Sequence, residues 1–475
     1  MAFHILSVTI IAALWWAALW FVLPIAWLQG TLPSFIAVHV VPPLLPIVTW
    51  WTGKRAWAWH KKKAKERAEK KEVAEKRAAL EAAKAEHRKA LERRRAHVEF
   101  RAVWAEFSSI PKWAEKEKEQ CLFRDIPLEA LQGAGRKAAL TSSLQLVFSA
   151  AFSKAKAIVW LPVMLVSKDR ALLDIVAQAW RLAVAENKIE HFPTQPEVAI
   201  LSGEGAIQDR LLALFENDPC LPAVILVGMD SPLANAEPLL GSNSKPDHAV
   251  AALLLSRPGL TAPDEEQIAA SRRQQETNDP MTPYWEREQA RNTSTSPQWG
   301  RVPLHQQPIL LQSFPPVAVL HRASAVHDLA TSPRALARQI IKATQEALIS
   351  AGLRELPLED EQQKAEQAKP KEPEFLDLDW AVHNANRDHI EPLVSALINC
   401  RCEPDSITEA SNLMEKKENM GEARSVLMLA ESLVRTAQLK KPVLIAEFDE
   451  NKSVTVALTC PPEATGAVEA ARPRT

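Results

Sequence analysis

The chain has 475 residues, 57 Lys and Arg against 58 Asp and Glu, and five cysteines. That length allows two to three domains, and the near-zero balance argues against nucleic acid as the main partner. An odd cysteine count without a CxxC pair points to free thiols rather than a disulfide framework.

The charge is unevenly placed. Residues 1–53 contain no Asp, Glu, Lys or Arg. The mostly apolar run 5–28 has 24 residues, which at about 1.5 Å per residue exceeds the roughly 30 Å hydrocarbon core of a bilayer. Gln29, Gly30, Thr31 and Pro33 make a polar turn. A second run, 35–51, carries Pro42, Pro43 and Pro46, so a kinked or partly irregular span is expected. Trp27, Trp50, Trp51, Trp57 and Trp59 fall at or just past the run ends, where indole rings favour the headgroup level. From Lys54 to Arg95 there are seventeen Lys and Arg against seven Glu, which keeps this flank cytoplasmic and predicts a transmembrane hairpin over 1–53 with both ends inside. One span plus a re-entrant segment is the alternative. A cleaved signal peptide is disfavoured, because no Lys or Arg precedes the apolar run.

Residues 54–110 read as a long basic helix or coiled-coil stalk. Ala, Glu, Lys and Arg dominate it, and its helix signal continues to residue 107. Its apolar positions are mostly Ala, so a solvated single helix fits at least as well as an oligomerising one.

An N-terminal α/β half is expected over 120–257. Helices are predicted at 138–154, 169–186 and 206–215, and buried strands at 157–166, 198–201, 223–227 and 248–255. Solid apolar strands alternating with helices imply a mostly parallel sheet covered on both faces. Residues 258–312 form a polar excursion rich in Gln, Arg and Asn. A C-terminal α/β half follows over 313–462. In it, strands are expected at 316–320 and 375–380, helices at 333–351, 391–398 and 423–439, and a closing hairpin pairs 442–448 with 453–459. Residues 359–374 read as a charged linker and 463–475 as a disordered tail.

No motif carries chemistry strongly. Ser202-Gly-Glu-Gly205 follows a strand and precedes a helix but lacks both GxGxxG and a following Lys-Ser/Thr, so a plain turn is expected. Ser231 precedes Pro232 and does not match a nucleophile elbow. Asp377, Asp379, His383 and Asn384 read as ordinary strand-end residues. Cys400 and Cys402 near His383 and His389 match no zinc spacing. No catalytic residue, metal or cofactor is expected. The polar pair His321 and Arg322 ends a strand, where α/β folds place functional groups. Tyr284, Trp285 and Trp299 sit among Arg and Gln in the excursion, the composition of an aromatic-anchored interface, although burial of the tryptophans under the excursion is equally compatible. These five residues are the candidate partner-binding set.

Two resemblances follow from these residues. Leu226-Val-Gly-Met-Asp-Ser231, Val250-Ala-Ala-Leu-Leu-Leu-Ser256 and Asn419-Met-Gly-Glu-Ala423 with its following helix and hairpin resemble a thiolase or ketoacyl-synthase fold without its catalytic cysteine and paired histidines. Asn217 to Val227, Ala251 to Arg257, Met281-Thr-Pro-Tyr-Trp285, Trp299-Gly-Arg301, Val319-Leu-His-Arg322 and Asn419 through Pro462, in that order, resemble the type VI secretion lipase-adaptor family over about 155–462. The hairpin and basic stalk are larger than that family leads one to expect. This resemblance implies a degenerate thiolase-like α/β region and a non-enzymatic, bacterial inner-membrane adaptor. In the cytoplasm such an adaptor binds a lipase effector and hands it to the secretion spike. The alternatives are a structural scaffold of an inner-membrane complex, or a divergent thiolase-like acyl-transfer enzyme.

Overall fold

The structure is a computed structural model. It describes residues 10, 13–19, 21, 41–107, 121–125, 135–167, 169–190, 192–231, 248–261, 299–355, 376, 378, 380–402, 411–412, 423–449 and 452–462. The chain divides into two units, Met1–Arg88 and Lys89–Thr475.

The first unit is dominated by helix α1, which as a whole runs Val41–Arg94. Ala, Lys, Glu and Arg supply its propensity. Exposed pairs at i,i+4, such as Lys76 with Glu72 at 2.8 Å, add only a few tenths of a kcal/mol each. The first predicted span, 5–28, and residues 35–40 of the second lie mostly outside the described residues. Residues 41–51 are the first turns of α1, in one helix with the basic segment. Among the described residues no helix is long and apolar enough to cross a membrane.

The helix ends at Arg94, not at residue 107. His97–Phe107 is a strand, β1. The second unit is built around it as a single twelve-stranded sheet. The other strands are β2 (Cys121–Asp125), β3 (Val163–Leu165), β4 (Val198–Ile200), β5 (Ala223–Asp230), β6 (Ala249–Ser256), β7 (Ala318–His321), β8 (Ser324–Val326), β9 (Trp380–His383), β10 (Ser411–Asn412), β11 (Val443–Asp449) and β12 (Ser453–Cys460). The order is β10-β9-β11-β12-β7-β1-β6-β5-β3-β4, with β2 on β1 and β8 on β12.

The sheet is mixed, which corrects the mostly parallel expectation. Strands pair in parallel at the two flanks, β10-β9-β11 and β5-β3-β4. Every step between them, from β11 through β12, β7, β1 and β6 to β5, is antiparallel. Strands β5 and β6 are buried along almost their whole length. Burial on both faces produces a solid apolar run whichever way the neighbours point, so composition alone does not report direction.

One face of the sheet is covered by α4 (Ile207–Asn217) and α8 (Arg424–Leu439), through Leu211, Phe215, Val426, Leu427 and Leu433. The opposite face carries α2 (Arg136–Lys154), α3 (Leu172–Glu186) and α5 (Gln307–Ser313) over the N-terminal half. On the C-terminal half that role falls to α6 (Pro333–Ser350) and α7 (Arg387–Asn399). Gly228 lets α8 approach: a Cβ there would stand 2.5 Å from Val426 Cβ. The predicted strand over 157–166 is a 3-10 turn, Lys156–Trp160, followed by the three residues of β3. The remaining predicted helices and the closing hairpin match α2, α3, α4, α6, α7, α8 and β11–β12 within a few residues at either end.

Candidate functional site

His321 and Arg322, adjacent in sequence, face opposite ways. His321 ends β7 and pairs with His97 at the start of β1. Their rings lie 5.7 Å apart and tilted by 54°. His321 is buried, and neither ring nitrogen has a hydrogen-bond partner among the described residues. Burial, with His97 and Arg95 close by, lowers its pKa to about 3, so the imidazole is neutral at physiological pH. Arg322 turns instead towards α4, with Nη2 donating to Glu216 at 3.2 Å and Nη1 3.9 Å from Asp209. Burial raises the Asp209 carboxyl against the pull of that guanidinium. Of the two, only Arg322 offers a charged group to the surface.

Trp299 is not an exposed anchor. It is buried in the core with α2 and α3, and its Nε1 donates to the Thr261 carbonyl at 3.2 Å. An indole needs both a large apolar envelope and one acceptor, and the core supplies both. Tyr284 and Trp285 lie outside the described residues, as do Asp377 and Asp379.

The C-terminal candidates make contacts within the fold. His383 is buried with its pKa lowered to about 4 by desolvation, and its Nδ1 accepts from the Ala385 amide. Asn384 donates to the Phe448 carbonyl and accepts from the Phe448 amide, at 2.8 and 2.7 Å. His389 stacks on Phe448 with ring centroids 4.6 Å apart. Burial raises Cys400 to about 11, and Cys402 and Cys460 to about 12. At neutral pH these three are thiols, and the thiolate is the nucleophilic form. Among the described residues no group of three or more His, Cys, Asp or Glu is placed to hold a metal ion.

Two buried polar networks were not anticipated. In the first, His248 bridges two serines: Nε2 lies 2.8 Å from Ser143 Oγ and Nδ1 2.9 Å from Ser231 Oγ. All three are buried. Next to them, Asp230 accepts from Arg136 at 3.2 Å and from the Ser231 amide at 2.8 Å. The group ties the middle of α2 to the end of β5 and the start of β6. Serine and imidazole at this distance have the geometry of a nucleophile and its base. In this pair the second ring nitrogen meets a hydroxyl rather than a carboxylate, and the pair is enclosed. In the second network, Arg101 on β1 donates to Ser256 Oγ, the Phe314 carbonyl and Glu99 at 2.6, 2.7 and 2.6 Å. A buried guanidinium needs such satisfaction to be tolerated.

The Ser202–Gly205 turn behaves as a turn. Gly203 and Gly205 have φ of +110° and +89°, and the Leu201 and Ser202 carbonyls accept from Arg210.

No family model matches the chain, and no curated protein matches it. Among solved structures it is similar to an acetyl-CoA acetyltransferase from Syntrophomonas wolfei, at 6% identity and a TM-score of 0.40, covering 77% of this chain and 99% of that one. It is also similar to human mitochondrial 3-ketoacyl-CoA thiolase in complex with CoA (8%, TM-score 0.38, 77% and 98% covered). A third is the oxazolomycin ketosynthase domain of Streptomyces albus JA3453 (11%, TM-score 0.38, 77% and 95% covered). At TM-scores below 0.5 these likenesses carry no argument, and the mixed α/β class rests on the sheet itself.

Proposed function

We propose that the chain is a membrane-anchored, non-enzymatic adaptor whose second unit binds a protein partner. Residues 1–53 are its anchor. The partner class comes from the residue order over about 155–462: a type VI secretion lipase effector, bound in the cytoplasm and delivered to the spike. The observation that carries the non-enzymatic part is the state of three cysteines and two histidines, while Cys220 is exposed with no base hydrogen-bonded to its thiol among the described residues. Cys400, Cys402 and Cys460 are buried and raised to about 11 or 12, and His321 and His383 are buried and neutral. Arg322, Asp209 and Glu216 remain partly exposed as a charged cluster on α4 and the end of β7. Arginine is among the residue types enriched at interface hot spots.

Affinity capture of the tagged full chain from its native cell, read by mass spectrometry, tests this. Lipase and spike in the captured set are the expected result, and their absence ends the adaptor reading. Arg322→Ala is expected to lower capture of the lipase about tenfold, since losing one good interfacial contact costs about 1–2 kcal/mol. Its thermal midpoint, measured on the same preparation, should stay within a few degrees. Unchanged capture would move the surface away from α4.

One distance favours a second reading, acyl transfer or hydrolysis at Ser231: its hydroxyl lies 2.9 Å from His248 Nδ1. A fluorophosphonate probe that labels the folded chain, and fails on Ser231→Ala, would establish that reading in place of the first.

A further inference from the structure

Helix α1 carries four tryptophans within ten residues: Trp50, Trp51, Trp57 and Trp59. Their relative exposures are 48, 55, 66 and 55%. Each has a cation one turn further on. Lys54 Nζ lies 5.1 Å from the Trp50 ring centroid, Arg55 Cζ 4.9 Å from Trp51, Lys61 Nζ 5.2 Å from Trp57 and Lys63 Nζ 4.5 Å from Trp59. Between Trp50 and Lys65 there are six Lys and Arg and no carboxylate. Cation–π pairing at exposed sites is weak beside the apolar area that an indole offers for burial. The cations therefore do not account for four exposed rings.

The arrangement around the helix decides what covers them. At about 100° per residue, Trp51, Trp57 and Trp59 stand roughly 100°, 340° and 180° from Trp50. The rings span an arc of roughly 200°, and Lys54, Arg55, Lys61, Lys62 and Lys63, roughly 40°, 140°, 20°, 120° and 220° from Trp50, fall within or beside the same arc. A helix lying in the membrane surface needs one apolar face and one charged face, and here rings and cations share a face. The charge changes along the axis instead: α1 has no charged side chain before Lys54 and carries cations from there on, which suits a helix that crosses the headgroup layer steeply. The rise from Trp50 to Trp59 is about 13 Å, and side chains lean towards the helix N-terminus. The Trp57 and Trp59 rings thus reach back towards the level of Lys54 and Arg55.

We propose that residues 50–63 form a tryptophan–cation band. Through it α1 passes steeply through the headgroup layer of an anionic bilayer, with lipid phosphates taken up by the Lys and Arg that stand among the rings. The proposal rests on the anchoring reading above and adds to it the lipid class and the attitude of the helix.

The test uses the full chain in vesicles of phosphatidylcholine alone, or of phosphatidylcholine with phosphatidylglycerol. A photoreactive benzoylphenylalanine replaces Trp50, Trp51, Trp57 or Trp59 in turn, with Ala74 and Ala83 as controls. Lipid adducts are expected at all four tryptophan positions, neither control should react, and phosphatidylglycerol should be enriched among the adducts. The triple variant Lys61→Gln, Lys62→Gln, Lys63→Gln should lower that enrichment at least about fivefold while the chain stays membrane-bound. Adducts at Ala83, which lies about 60° round from Trp50 and so on the same arc as the rings, would mean a flat helix and overturn the proposal. So would adducts to protein in place of lipid, or no preference for phosphatidylglycerol. Failure of the anchor itself reads differently: the chain would wash off at alkaline pH and give no lipid adduct at any position.

Discussion

His321 is the residue whose environment departs furthest from its ordinary chemistry. Its imidazole is buried beside His97 and Arg95, and both ring nitrogens lack partners among the described residues. Leaving a buried polar group unsatisfied costs about 1–3 kcal/mol, and an apolar replacement of similar shape is often neutral or stabilising. His321→Leu is therefore expected to be at least as stable as the parent at neutral pH. The pH dependence follows from the direction of the shift. The unfolded imidazole takes a proton near 6.5 and the folded one near 3, so the unfolded state binds more protons between those values. Stability is fully present above about 6.5 and is lost as pH falls through that window, by up to about 1.4 kcal/mol per pH unit. His383, lowered to about 4, adds a loss of the same sign. Urea midpoints at pH 7 and pH 5 should fall less in His321→Leu than in the parent, and equal falls would contradict this account. That His321 ends a strand was legible in the sequence. Its burial was not, because only the pairing with His97, more than two hundred residues earlier, closes over it. For Trp299 the sequence left exposure and burial equally open, because its polar neighbours in sequence are not its neighbours in the fold.

Strand β1 shows how a local pattern misleads at the scale of an element. Phe100, Val103, Trp104 and Phe107 stand at i, i+3, i+4 and i+7, the spacing of a helix face, and no Gly or Pro intervenes after the basic helix. The strand carries a register shift between Phe100 and Ala102, a bulge that leaves Arg101 as the extra residue. Val98 and Phe100 before it, and Val103 and Ala105 after it, consequently face the same core, while Ala102 and Trp104 face the other. The bulge breaks the two-residue alternation that would have identified a strand. By contrast α2, α3, α6 and α8 were readable, since each keeps one period throughout. Contact between α8 and the sheet gives the next prediction. Gly228→Ala puts a Cβ 2.5 Å from Val426 Cβ, and overpacking of this kind typically costs about 1–3 kcal/mol. Val426→Gly alone should also destabilise, by deleting a buried side chain and placing glycine inside a helix. In the double variant the clash has gone, so the total loss should be smaller than the sum of the two. Chemical denaturation of all four proteins measures this coupling. Strict additivity would mean that α8 does not set the requirement for glycine.

At the scale of the whole molecule, the position of β1 changes where the second unit begins. A boundary near residue 120 follows from the first continuous apolar strands. It leaves out a strand that pairs with β6, β7 and β2 in the middle of the sheet. The contact division instead falls after Arg88, and only Arg95 and Ala96 separate α1 from β1. Arg94 adds a tie within this unit, donating to Glu346 on α6 at 2.6 Å, although a half-exposed pair like this contributes little by itself. Two fragments separate the boundaries. A chain starting at Lys89 keeps β1 with its full set of pairings, and a chain starting at Ser108 loses it. Without β1, the inner edges of β6 and β7 have unpaired backbone donors and acceptors, and the Ser256, Glu99 and Arg101 network loses two of its three members. Unpaired edges of this length are templates for aggregation. The Lys89 fragment is expected to be soluble and to unfold in one cooperative transition with the midpoint that the full chain shows for its second unit. The Ser108 fragment is expected to aggregate on expression or to lack a cooperative transition. Circular dichroism melts with light scattering on both decide the matter, and a cooperatively folded Ser108 fragment would return the boundary to residue 120 and make β1 an accessory to the sheet.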